Sequence, residues 1–286
     1  MENKIGRVIT IKIIDENDKY VFGQHDGETY RLAKEELRSI PKMGANVSGF
    51  AYENDKHQLQ ITKTIPKIGI GKYAFCDVVA VRKNLGVFVD IGLPNKDIVV
   101  SCDELPELTH LWPKKNDRLL IGLKVDHKGR LWGDLATEEM FRAISVKADA
   151  KLRNKDVTGT VYRLKMVGSY VLTNDYQLGF IHNTERDQEP RLGEVVNARV
   201  IGVREDGTMN LSLRPRAYEA ISDDAQMLIA ALQHNNGHLP YTDKSSPAEI
   251  KAYFGISKGQ FKRAVGHLMK AGLVQQIDGE LRLNEA

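Results

Sequence analysis

Few side chains in this 286-residue sequence stand in arrangements that carry bond-making chemistry. His234 and His238 are four apart, the helical spacing of a metal-binding pair, but Asn235, Asn236 and Gly237 between them end the helix that would set both on one face. Cys76 and Cys102 lie in apolar, strand-like stretches with no further cysteine or histidine at ligand spacing, so buried reduced thiols are expected rather than a zinc site or a disulfide. Around Lys72, IGIGKY lacks the first glycine of a phosphate-binding loop and offers Tyr73 where a serine or threonine must reach Mg²⁺. Carboxylates such as Asp103 and Glu104 fall at turns, where capping or solvation explains them. The expectation is a protein without catalytic residues, metal or cofactor.

A different chemistry is open to VGSYVLTND and LGFIHNTER, residues 167–175 and 178–186. Alone, His182 fits three roles: metal ligand or base, nucleic-acid contact, or plain surface residue. Single-stranded RNA needs aromatic faces for its unstacked bases, each stack worth ~1–3 kcal/mol, and cations that follow the phosphates. Strand alternation turns Tyr170 outward while Val171 points into a core. Phe180 and His182 follow on the next strand, with Arg163, Lys165, Arg204 and Arg214 as candidate cations. Tyr170 alone is better explained by packing, and a site is favoured only once His182 on the next strand is taken with it. A second group is Phe88 with Arg82, Lys83, Lys124, Lys128, Arg130 and Trp132, where packing between domains is equally open for the two rings.

These residues sit in a repeat. Three copies begin near Gly6, Tyr73 and Gly159, each opening on alternating apolar residues: GRVITIKII, AFCDVVAV and TGTVYRLKMV. A second strand follows, then a third that runs into an acidic turn, TYRLAKEEL, DIVVSCDEL or LGFIHNTER. A proline segment leads to two last strands joined at turns such as DHKG and REDG. Five short strands in some 60–75 residues bury their apolar faces most economically by closing into a barrel of the OB type. Composition agrees with soluble modules: 41 basic and 38 acidic residues give a net charge of only +3, so any electrostatic footprint must be local. No apolar run suits a membrane span, and the charged start MENKIGRVITIKIID does not suit a signal peptide, so a cytoplasmic location is expected.

The third copy resembles the ribosomal S-one type of OB domain: Gly168, Tyr170, Val171, Gly179, His182, Glu185, Gly207, Leu211 and Ser212 fall in order. The second copy keeps Gly86, Phe88, Val89, Glu104 and Leu105 but has Val100 or Ser101 at the histidine place. In the first, Tyr20 and Val21 take the aromatic–valine place and Leu32 or Ala33 the histidine place, which suggests a barrel that no longer binds RNA.

Beyond Pro215 the period becomes helical. YEAISDDAQMLIAALQHNNG reads as one helix, SSPAEIKAYF as a second with a serine cap and proline inside it, and a third starts at Lys258. In that third helix Phe261, Val265, Leu268 and Met269 form the apolar stripe, with Lys258, Lys262 and Arg263 elsewhere. LVQQIDGELRL is a two-strand wing around Asp-Gly that carries Arg282. The segment resembles a winged helix, whose Lys258, Lys262, Arg263 and Arg282 are candidate nucleic-acid contacts.

The expected architecture is mainly β, with three tandem five-stranded OB-fold barrels and a C-terminal α+β winged-helix domain, at residues 1–64, 65–145, 146–216 and 217–286. This order resembles the conserved virulence factor B family of Gram-positive bacteria. The resemblance implies an RNA-binding, post-transcriptional regulator with single-stranded RNA as partner and no enzymatic activity. Duplex DNA is a possible partner if the winged helix leads, as in a transcription factor; a protein-binding scaffold is the other alternative. His182 is expected to stack or hydrogen-bond with a nucleotide, not to hold a metal. Oligomeric state is open.

Overall fold

The computed structural model describes residues 4–215 and 223–284. The first barrel is built from β1 (Val8–Glu16), β2 (Tyr20–His25), β3 (Glu28–Ala33), β4 (Asn46–Glu53) and β5 (Leu59–Thr62). The second uses β6 (Ala74–Arg82), β7 (Gly86–Val89), β8 (Ile98–Ser101), β9 (Arg118–Val125) and β10 (Leu131–Leu135). The third uses β11 (Asp156–Lys165), β12 (Gly168–Thr173), β13 (Leu178–His182), β14 (Val195–Val203) and β15 (Met209–Ser212). Each is a closed barrel in which the third strand pairs parallel with the fifth and the first pairs with the fourth. Closure removes the sheet edges that such short strands would otherwise expose.

Alternation drives each barrel. In β1, Ile9, Ile11 and Ile13 point inward and meet Val21, Tyr30, Leu32 and Ile61. Val161, Val171, Ile181, Val200, Met209 and Leu211 fill the third barrel in the same way. The acidic turns after the third strands are short 3-10 helices, at Lys34–Glu36, Cys102–Glu104 and Asn183–Glu185.

One irregularity recurs in the first strand of every barrel. A bulge lies between Ile13 and Asp15, between Val78 and Ala80, and between Val161 and Arg163. Directly after it the pairs are Asp15↔Phe22, Ala80↔Phe88 and Arg163↔Tyr170, so Phe22, Phe88 and Tyr170 occupy one structural position. This corrects the expectation for the first copy: Tyr20 stands two places earlier, where the other barrels have Gly86 and Gly168. The same register puts Ala33 and Ser101 at the place of His182.

The barrels pack on one another. Phe50 and Tyr52 of the first join the apolar cluster of the second, and the Tyr52 hydroxyl donates to Asn95 Oδ1 at 3.0 Å. Between the second and third, Arg191 grips Asp117 through Nε and Nη2 at 3.0 and 3.1 Å. A helix absent from the sequence reading, α1 (Glu138–Ile144), starts at its Thr137 cap. Its buried Phe141 joins Leu120 of β9 and Leu172 of β12 in a small apolar cluster and stacks on Tyr162 at 4.0 Å. Cys76 is buried and unpaired as expected, whereas Cys102 is only half-buried because it opens a surface turn.

The C-terminal unit, residues 214–286, has its own core. It contains α2 (Asp223–His234), β16 (His238–Leu239), α3 (Pro247–Phe254), α4 (Lys258–Lys270), β17 (Val274–Ile277) and β18 (Glu280–Leu283). The predicted start of the first of these helices, residues 218–222, lies outside the described residues. Capping boxes Ser246/Glu249 and Ser257/Gln260 start α3 and α4. Left-handed Asn236 and Gly237 lie between the end of α2 and His238, so His234 and His238 share no helix. The α4 stripe is Phe261, Ala264, Val265 and Leu268; Met269, expected among them, is exposed because the buried face runs through Ala264 instead. The two-residue β16, missed in the sequence, completes a three-stranded sheet with the Asp278-Gly279 wing.

Candidate nucleic-acid interface

The alternating β12 and β13 place Tyr170, Phe180 and His182 on the outer wall of the third barrel, with Val171 and Ile181 inside. Tyr170 and Phe180 are direct cross-strand partners, their rings 5.0 Å apart. Phe180 and His182 are two apart on β13, and their rings meet edge-on at 6.3 Å. Tyr162 extends the line, 6.1 Å from Tyr170. Four rings thus run along one face, at spacings within the range of interacting aromatic pairs.

Gly168 makes this packing possible. It stands opposite His182 at φ +155°, and a Cβ there would lie 2.2 Å from the Ile181 carbonyl and 2.8 Å from the Phe180 ring. His182 is exposed and caps the turn that follows: its Nδ1 lies 2.8 Å from the Thr184 hydroxyl and 3.3 Å from the Thr184 backbone N–H, which leaves Nε2 as the ring nitrogen turned away from the turn. His182 therefore offers an outward polar ring edge beside the other rings.

The cations divide into two kinds. Lys165 Nζ lies 4.9 Å above the Tyr170 ring and the Arg204 guanidinium 5.9 Å above Phe180, so both flank the rings directly. Arg204 is steadied by Asn210 Oδ1 at 2.8 Å. Arg163 and Lys165 also face Glu138 of α1, at 3.4 and 3.3 Å, and Arg142 bonds the same carboxylate at 2.8 Å. The Arg142 bond, with those two cations, holds the Glu138 carboxyl below the usual carboxylate range. Arg214, the remaining candidate cation, is exposed and begins the C-terminal unit.

In the second barrel Arg82 lies 5.0 Å over Phe88, and Lys83 is exposed in the adjoining turn. Trp132 occupies the place that Asn210 holds in the third barrel, and Arg130 lies 5.4 Å over it. Acids engage this group more fully: Arg130 and the Trp132 indole N–H both bond Asp126, and Lys124 is bound by Glu104 with Asp134 at 3.7 Å. Bonds led by the Arg130 backbone N–H keep Asp126 well below the ordinary carboxylate range. Val99 and Ser101 stand where the third barrel has Phe180 and His182, so only one ring is left on β7–β8.

On the winged helix, Lys262, Arg263, His267 and Lys270 share the exposed side of α4. Among the described residues no ion pair holds Lys262, Arg263 or Lys270. Lys258 is the first residue of α4, and Arg282 is bonded by Glu280 of its own wing at 3.0 Å. No group of three or more histidine, cysteine or acidic residues suited to a metal ion occurs among the described residues, and no helix there is long and apolar enough to cross a membrane.

The sequence reading missed Tyr162, Phe141, Arg142 and Glu138. Tyr162 was legible in principle, as the aromatic beside Arg163, but it lies within the bulge, where strict alternation loses phase.

Comparison with known proteins follows the same division. Residues 5–64 match the S1 domain, 73–134 the CvfB first S1-like domain, 141–215 the second domain of virulence regulatory factor CvfB, and 226–283 the CvfB-like winged helix domain. The chain is 41% identical to YitL of Bacillus subtilis over 96% of its length and 92% of that protein's. It is 36% identical to conserved virulence factor B of Staphylococcus epidermidis, over 98% and 95%. A crystal structure of a Streptococcus pneumoniae multidomain protein with nucleic acid binding domains superposes with a TM-score of 0.70 at 49% identity, over 99% of both chains. With three S1-type barrels and a winged helix in this order, the chain belongs to the conserved virulence factor B family.

Proposed function

We propose that the chain binds single-stranded RNA across the outer face of β12 and β13, acting in the cytoplasm as a regulator of transcript fate, virulence-related transcripts included, and not as an enzyme. The observation that carries this reading is the ring line Tyr162–Tyr170–Phe180–His182 with Lys165 and Arg204 over its members. Tyr162 is covered by Phe141, and the half-buried Tyr170 and Phe180 with the exposed His182 are the rings that can receive the free bases of a single strand, whereas a duplex keeps its bases stacked on one another. Phe88, under Arg82, adds one further stacking face in the second barrel. The nucleic acid binding domains named for the pneumococcal structure support the same direction.

A second reading, duplex DNA bound by the winged helix, is favoured by the exposed basic side of α4. Titrating the full chain with single-stranded RNA and with duplex DNA at matched salt separates the two. The RNA reading requires that replacing both Tyr170 and His182 by alanine weakens RNA binding while Lys262→Ala with Arg263→Ala has the smaller effect. The reverse ranking, with DNA bound more tightly, supports the winged helix as the leading module.

A further inference from the structure

We infer that Glu138 is a specificity-determining residue: by occupying the cations beside the ring line it makes the third barrel select ligands with exposed base faces and reject duplexes. This rests on the RNA-binding reading above. Glu138 begins α1, whose position is fixed by Phe141 stacked on Tyr162. Its Oε1 accepts from Arg142, and its Oε2 lies 3.3 Å from Lys165 and 3.4 Å from Arg163. The carboxylate, Tyr170 and Phe180 share one concavity of about 580 Å³, lined also by Arg142, Lys165 and Arg204. The acid therefore faces the ligand's own space.

An acid in that place acts unequally on two ligands. A duplex is held by phosphate charge and counterion release, with phosphates at spacings set by its helix. It cannot steer one away from Glu138 without losing another contact. A single strand is flexible and draws part of its affinity from stacking on Tyr170, Phe180 and His182, so it can route its phosphates toward Arg204 instead. A negative charge that weakens the competitor more than the ligand is how specificity is built by repulsion.

The test compares Glu138→Gln with Glu139→Gln in the full chain. Both remove one charge from the first turn of α1, and Glu139 is exposed on the neighbouring position. Their binding to an oligouridylate of about a dozen nucleotides and to an RNA duplex of about the same length is measured over a salt series. Glu138→Gln is expected to raise duplex affinity roughly tenfold and single-strand affinity no more than about threefold, with the duplex salt slope steeper by about 0.9. Glu139→Gln is expected to change neither by more than about twofold. Equal gains for both ligands, a loss for both, or identity with Glu139→Gln overturns the inference, the loss meaning that Glu138 instead aligns the cations. If the unaltered protein binds no single-stranded RNA, the proposed function itself fails, and the inference with it.

Discussion

Tyr170→Ala is the most direct probe of the ring line, because two readouts must move differently. Tyr170 sits between Tyr162 and Phe180, 6.1 and 5.0 Å away, with Lys165 above it. Losing one base stack is worth ~1–3 kcal/mol, a weakening of about five-fold to 150-fold in Kd. A stacked ring carries no charge and neutralises no phosphate, so the slope of log K against log salt should stay unchanged. Arg204→Ala should do the opposite, flattening the slope by about 0.7 with a smaller loss at low salt. Fluorescence anisotropy with a labelled oligoribonucleotide at several salt concentrations reads both quantities, and Tyr170→Phe should restore binding since it keeps the face. The reasoning is refuted if Tyr170→Ala weakens binding less than about twofold, or if its loss comes through the salt slope.

Further expectations concern the framework. Gly168→Ala should destabilise the third barrel by more than about 2 kcal/mol in urea unfolding, since its Cβ meets a carbonyl oxygen and the Phe180 ring where L residues are already strained. Burial pushes the Cys76 thiol up to about 11, so it should resist iodoacetamide at about pH 8.5 until unfolding, while the half-buried Cys102 reacts. The same shift sets a pH dependence: the folded state keeps a proton that the unfolded chain releases near pH ~8.5, so stability is full below that pH and falls as pH rises toward about 11. On the winged helix, Lys262→Ala and Arg263→Ala should each reduce the salt slope of nucleic-acid binding by about 0.7–0.9 if α4 contacts phosphates; an unchanged slope would assign that face to another partner.

Most of the fold was legible because its signals are local. Period-two alternation, the Asp-Gly turns and the switch to helical spacing each arise within a dozen residues, and three imperfect repeats of them outweigh any single ambiguous strand. What escaped depends on partners distant in sequence. The two-residue β16 has no periodicity to read, and α1 is a bare two turns lying between repeats. The bulge in β11 put Tyr162 on the ring line against the alternation that had oriented Tyr170. The pairing of Arg163 and Lys165 with Glu138 joins elements that no spacing rule relates. In the first copy, the aromatic–valine pattern fitted Tyr20-Val21, and only the strand register showed that Phe22 holds the position.

That register also changes what counts as the signal. An aromatic ring stands at the Tyr170 place in all three barrels, as Phe22 and Phe88 in the others, so the ring by itself is explained by packing on the barrel wall. The difference lies on the neighbouring strand. The first barrel has Arg31 and Ala33 where the third has Phe180 and His182, and the second has Val99 and Ser101. At the Arg163 place the first barrel has Asp15 and the second Ala80. The glycine sets only the first barrel apart: Gly168 leaves room for the Phe180 ring and the second barrel keeps Gly86, whereas Tyr20 at the same position lies under the Arg31 guanidinium at 4.5 Å. The first barrel also sets two rings beside a cation, Tyr20 and Phe22 at 6.5 Å with Arg31 over Tyr20, but both stand on β2. In the third barrel Tyr170 meets Phe180 across two strands, with His182 next on β13, so His182 marks the proposed site through its company on β13 more than through its own chemistry.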